Sequence, residues 1–166
     1  MEFVRENHAA SFRQKHLVFV LGACALYSLV SFLTLDKYPA FYADEAFYSE
    51  PSVHLLNEGR IFSSYYAYIP GFETSNIIFG WIFTFFQAVS FKFLGITMIS
   101  IRLQSFLAGF LVLWLTFLIS LELFSDNYLA AIAAAVLALS HVFIFAHHFG
   151  KTHMDVAFFV ILTVFL

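Results

Sequence analysis

Apolar runs separated by short polar stretches set the expected architecture of this chain. Residues 17–35, 103–121 and 128–146 are each nineteen residues without Asp, Glu, Lys or Arg. At about 1.5 Å rise per residue, each is long enough as a helix to cross the roughly 30 Å of bilayer hydrocarbon. Arg5, Arg13 and Lys15 precede the first run, which favours a cytoplasmic tail over 1–16 and places the next segment outside. A cleaved signal peptide fits less well, because 31–35 (Ser-Phe-Leu-Thr-Leu) is bulky where a small-x-small site is needed.

Residues 36–75 form a long polar first loop. The pattern predicts one or two short helices over 43–58, stopped by Gly59, with Pro51 kinking a single helix or opening a second. Tyr65, Tyr66, Tyr68 and Phe72 around Pro70-Gly71 read as a turn at headgroup level. In 76–94, Gly80, Thr84, Gln87 and Ser90 or Phe91 share one helical face, while Phe79, Ile82, Phe83, Phe86 and Phe93 lie elsewhere. That stripe fits either a juxtamembrane helix or a span whose small face packs on neighbours. Residues 122–127 make a tight turn, 148–155 a second outer loop, and 156–166 the start of another span. That last run ends without a flanking polar residue, so the chain is expected to be the N-terminal part of something longer. The fold class expected is all-α integral membrane: a multi-span helical bundle whose long extracytoplasmic first loop contains juxtamembrane helices.

Composition agrees with this pattern. The chain is 61% hydrophobic and 11% charged, against about 45–50% and about 25% in ordinary soluble domains. Its 24 Phe suit lipid contact better than a small core. No basic tract points to nucleic acid. Cys24 is the only cysteine, so no disulfide framework exists. The alanines of 130–135 predict close helix packing.

Two clusters are candidates for chemistry. Asp44-Glu45 opens the first-loop helix, where adjacent carboxylates offset the helix dipole or cap the helix; apolar neighbours in 38–48 also suit a base of raised pKa. The second cluster is His147-His148-Phe149-Gly150-Lys151-Thr152-His153-Met154-Asp155. It reads as a membrane-exit loop, as a metal site without a standard ligand spacing, or as a substrate-binding loop that pairs with the Asp44 region. His141 is expected to be a packing residue.

The order Asp44-Glu45-Ala46-Phe47-Tyr48, Leu55-Leu56-Asn57-Glu58-Gly59-Arg60, Ser100-Ile101-Arg102-Leu103-Gln104-Ser105-Phe106-Leu107-Ala108-Gly109, Leu137-Ala138-Leu139-Ser140 and Met154-Asp155 resembles the GT-C type glycosyltransferases that use lipid-linked sugars. The similarity is to the group containing protein O-mannosyltransferases and lipid A aminoarabinose transferases, and it runs over about 125 residues. The resemblance implies an extracytoplasmic site at which a sugar passes from a polyprenyl-phosphate donor to a hydroxyl of a lipid, glycan or protein acceptor. Asp44 is then the general base, Glu45 an orienting acid and Asp155 a wall of the same cavity. Lys151, His153 and Arg60 are candidates for the leaving phosphate, and Glu73 for metal or substrate. No cofactor is certain, and a divalent metal stays open. Phe47 stands where relatives often carry Arg, which leaves the substrate unassigned. A noncatalytic membrane subunit or a transporter fragment is the alternative.

The resemblance also sets a topological condition. Asp44 and Asp155 meet only if an even number of crossings separates them, so 76–94 is expected not to cross. This puts Lys92 and Arg102 outside and leaves the inner turn at 122–127 without a basic residue.

Overall fold

A computed structural model describes residues 18, 22, 24–64 and 80–166. The expected aromatic turn over 65–72 and Glu73 lie outside the described residues. Those described form α1 (Cys24–Leu33), α2 (Ala43–Glu58), α3 (Trp81–Leu94), α4 (Met98–Phe124), α5 (Asn127–Ala138), α6 (His141–His148) and α7 (His153–Phe165), with no strand among them.

Local signals explain the boundaries. Tyr42 is extended at the start of α2, and its backbone N–H donates to the Glu45 carboxylate three residues on (3.2 Å), the reciprocal arm of a capping box. The helix runs through Pro51 without a second start and stops at Gly59, whose φ of 67° suits glycine and whose N–H bonds Leu55 O. Thr97 and Ser100 cap α4 reciprocally. Ser125 ends α4 in the left-handed region, and the Asp126 side chain accepts from the Tyr128 and Leu129 N–H groups to open α5. The predicted tight turn is therefore two residues long.

The apolar run at 128–146 is not one straight helix, as the sequence led us to expect. It breaks at Leu139-Ser140, and α5 and α6 meet at a 66° bend. Ser140 leaves the helical region (ψ 125°) while its carbonyl accepts from Ile144 N–H, so the backbone restarts a helix there without Pro or Gly. At the other end of α6, His147 and His148 are helical and buried rather than part of a loop. The helix α7 begins at His153, which puts Asp155 in its first turn.

The core lies where α4, α6 and α7 meet, around Ala108, Val112, Phe143 and Met154. Ala130, Ala131, Ala134 and Ala138 are the buried face of α5, as the alanine cluster predicted. At Gly109 the backbones come so close that a Cβ would sit 2.6 Å from His147 Cβ.

Polarity is inverted in α3. Thr84 and Gln87 are fully buried with Ala88 and Phe91, whereas Trp81 and Phe93 are 67% and 79% exposed. Thr84, Gln87 and Phe91 of the stripe thus lie on the packed face, joined by Phe83, which the sequence placed elsewhere, while Gly80 at its start is exposed. Among the described residues one helix, α4, is long and apolar enough to cross a membrane, or two if the bent α5–α6 pair forms a single span.

Candidate functional site

The site forms where the ends of four helices converge. Its centre is Glu45, fully buried against Arg102, which is also fully buried. Arg102 donates from Nε to Glu45 Oε1 (2.7 Å) and from Nη2 to Oε2 (2.8 Å), a bidentate pair. Its Nη1 donates to Leu35 O (2.9 Å), just beyond α1. Gly150 N–H donates to Glu45 Oε1 (3.0 Å) from the α6–α7 loop. With the Tyr42 N–H bond to Oε2, five hydrogen bonds rest on this one carboxylate and guanidinium, so the pair joins α1, α2, α4 and the loop before α7. A methyl group at Gly150 would lie 2.6 Å from Ile101 Cγ2 and 2.9 Å from Ile101 O, which explains why the loop approaches α4 this closely only with glycine.

Asp44, next to Glu45, faces the other way. Its Oδ2 accepts from Lys151 Nζ at 2.5 Å, with the Asp44 side chain 49% exposed and that of Lys151 15%. The ammonium also lies 4.8 Å from the ring centre of Phe149 and 5.6 and 5.8 Å from those of Tyr42 and Tyr48. Cation–π contacts of this kind hold an ammonium in place. Ser105 Oγ–H donates to Lys151 O (2.8 Å), fixing the backbone behind that side chain.

Asp155 sits one helix end away. Gln104 Nε2 donates to its Oδ1 (2.9 Å), while Asp155 Oδ2 and Gln104 Oε1 are buried without a hydrogen-bond partner among the described residues. Asp155 precedes the apolar run that begins at Val156, and burial pushes its carboxyl from 3.8 up to about 6, partly offset by the Gln104 and backbone hydrogen bonds.

A second polar layer holds α3 in place. Gln87 accepts from Ser52 Oγ–H (2.8 Å) and donates to Ser49 Oγ (3.2 Å) and Ile101 O (3.0 Å). Farther along α2, Glu50 accepts from Ser63 and Ser64. Burial alone would raise its pKa, but those hydrogen bonds and His54 hold it below the ordinary value.

Of the residues proposed from sequence, the structure brings Asp44, Glu45 and Lys151 into one connected cluster, whereas the hydrogen bond of Asp155 goes to Gln104 and not to the first-loop acids. His153 is exposed at the start of α7 and lines a groove with Lys151. Arg60 is exposed past Gly59 and makes no ion pair among the described residues. His141, expected to be packed, is exposed. No group of three or more His, Cys, Asp and Glu side chains is placed to hold a metal ion among the described residues. His147 and His148 instead direct Nδ1 at Phe143 O and Ile144 O, each at 2.9 Å.

Arg102, Gln104, Gln87 and Gly150 were not singled out as site residues. The available signal was polarity inside or at the edge of an apolar run, where an unpaired group is costly and a partner is therefore expected. Arg102 also leaves the count of loop charges, because it is buried in an ion pair.

A comparison with family models, curated proteins and solved structures finds no match.

Proposed function

We propose that the chain belongs to a membrane-embedded glycosyltransferase, whose site is built on Asp44 at the extracytoplasmic end of the helices. The observation that carries this reading is the Asp44–Lys151 contact at 2.5 Å, a half-exposed carboxylate beside a caged cation, with both supported by the buried Glu45–Arg102 pair. Outward-facing apolar side chains on α3, such as Trp81 and Phe93, and the length of α4 support lipid as the surroundings.

In this reading α4 leads away from the site and the α5–α6 pair returns to it, while α3 stays beside α2. Asp44 accepts the proton of an acceptor hydroxyl, and the freed oxygen lone pair attacks the anomeric carbon of the donor sugar. The bond between that carbon and the carrier phosphate breaks, and the phosphate leaves with the electron pair. Lys151 offsets its added negative charge. Glu45 takes no part in the proton transfer, because both of its oxygens are already held by donors.

The test is sugar transfer by the whole polypeptide in membranes, from a panel of polyprenyl-phosphate sugars. Loss of a general base is expected to reduce transfer in Asp44→Asn by about 100-fold or more. Undiminished transfer by that variant removes Asp44 from the mechanism. Absence of transfer by the wild-type protein with every donor favours a noncatalytic membrane subunit.

A further inference from the structure

Asp155 takes no part in the transfer step, yet its carboxyl is buried against Gln104 in a half-made pairing. Gln104, 7% exposed, donates from Nε2 to Asp155 Oδ1 (2.9 Å). The remaining two oxygens, Asp155 Oδ2 and Gln104 Oε1, are closed to solvent and have no hydrogen-bond partner among the described residues. An ionised carboxylate and an amide oxygen only accept hydrogen bonds, so neither can satisfy the other. Leaving both bare away from water is costly. A single proton on Oδ2 removes the mismatch, because it turns the acid into a donor for which Oε1 is the open acceptor.

We infer that Asp155 and Gln104 form a proton-binding site, a neutral acid–amide pair in which Asp155 Oδ2–H donates to Gln104 Oε1 while Gln104 Nε2–H donates to Asp155 Oδ1, and that this pair latches α7 to α4 until the proton leaves. The bond on one side already sets the amide against the carboxyl, and the terminal torsions that bring Oε1 to Oδ2 are soft. The pair lies on the α4–α7 seam: Met154, the neighbour of Asp155, and Ala108, one turn on from Gln104, belong to the same buried cluster.

Charged and titratable groups on the elements around the pair are engaged elsewhere. Arg102 of α4 is bound to Glu45, and Lys151 of the loop to Asp44. His147 and His148 of α6 direct Nδ1 at backbone carbonyls, and His153, on α7 itself, is exposed. Burial, rather than a neighbouring charge, pushes the Asp155 carboxyl up to about 6. Loss of the proton leaves one bond in place of two and a charge in the seam, so the start of α7 loosens. Ser105, next to Gln104, holds Lys151 O, which ties the same turn of α4 to the second loop. The inference does not depend on the transferase reading.

Two measurements on the whole polypeptide in dodecyl maltoside, a detergent without a carbonyl, test it. In infrared spectra at pH 5, the wild type minus Asp155→Asn difference is expected to show the carbonyl stretch of a protonated carboxyl, gone by pH 8. In Gln104→Leu, referenced to Asp155→Asn/Gln104→Leu, the band moves to higher frequency because the acid has lost both hydrogen bonds. Amide exchange is read at 156–158, where Val156 N–H makes the first helical bond, to Thr152 O. Corrected for the intrinsic pH dependence of exchange, opening there is expected to rise on the order of 100-fold between pH 4 and 7, the span between 3.8 and about 6 at tenfold per unit. Asp155→Asn, whose amide puts an N–H where the acid carries its proton, keeps its low-pH protection at pH 7.

A wild-type difference spectrum without a protonated-carboxyl band at pH 5 overturns the inference. If the ionised carboxylate seen instead shifts its stretch with sodium or potassium, the two bare oxygens hold a cation and not a proton. A band unmoved in Gln104→Leu shows that the proton is not shared with the amide. Exchange at 156–158 that is flat with pH in the wild type, or as fast in Asp155→Asn as in the wild type at pH 7, shows that the pair does not latch α7.

Discussion

Glu45 and Arg102, 57 residues apart in sequence, meet as a bidentate ion pair with neither side chain accessible to solvent. Two buried charges gain little over an apolar pair, but one buried charge left alone is costly. Arg102→Met is therefore expected to destabilise the fold by about 3–5 kcal/mol. The double variant Glu45→Met/Arg102→Met should recover part of that loss. Thermal unfolding in detergent reads both, and a double variant no better than the single shows that the unpaired carboxylate is not the cause.

The place of α3 depends on Gln87, whose amide reaches Ser49 and Ser52 of α2 and the Ile101 carbonyl of α4. Gln87→Leu fills the space but strands those partners, and leaving buried polar groups unpaired costs about 1–3 kcal/mol. Amide exchange is expected to quicken across α3 while α4 and α5 keep their protection. Uniform exchange rates across α3 in the variant and wild type speak against Gln87 as the anchor.

The helices were legible because their signals are local: nineteen-residue apolar runs, Gly59 after α2, and the Ser125-Asp126 turn. The break at Leu139-Ser140 was not, because no Pro or Gly marks it and a serine leaves the helix there only in its tertiary setting. In the site, the Asp44-Glu45 dipeptide stood out, but the division of labour did not. Helical geometry turns adjacent residues about 100° apart, so Glu45 faces Arg102 and the interior while Asp44 faces Lys151 and the opening. The helix-cap reading holds for Glu45, whose Oε2 accepts from Tyr42 N–H, and the same oxygen also accepts from Arg102. Arg102 and Gln104 were hidden by their position at the start of an apolar run, where sequence alone gives no partner.

Gly150 ties the second loop to the first through its N–H to Glu45. Gly150→Ala is expected to push the loop off Ile101, because one of the atoms met is a backbone oxygen that has little freedom to move. Overpacking of this kind costs about 1–3 kcal/mol, and Lys151, the next residue, should lose its register with Asp44. If sugar transfer and thermal stability both match the wild type, the close approach at Gly150 is not needed.

Asp155 makes stability depend on pH in a direction opposite to that of a salt-bridged acid. Its carboxyl, raised from 3.8 to about 6 by burial, binds a proton more tightly in the folded chain than in the unfolded one. The Asp155 contribution is therefore most favourable below pH about 4, falls as pH rises between about 4 and 6, and is level above that. Asp155→Asn removes this slope, so the stability of the variant relative to wild type should rise from pH 4 to pH 7. Gln104→Leu removes the hydrogen bond that favours the ionised form, and should move the wild-type slope to higher pH. Thermal unfolding at intervals from pH 4 to 7 reads all three proteins. Parallel curves for the wild type and Asp155→Asn would show that the carboxyl titrates alike in both states and that burial does not hold its proton.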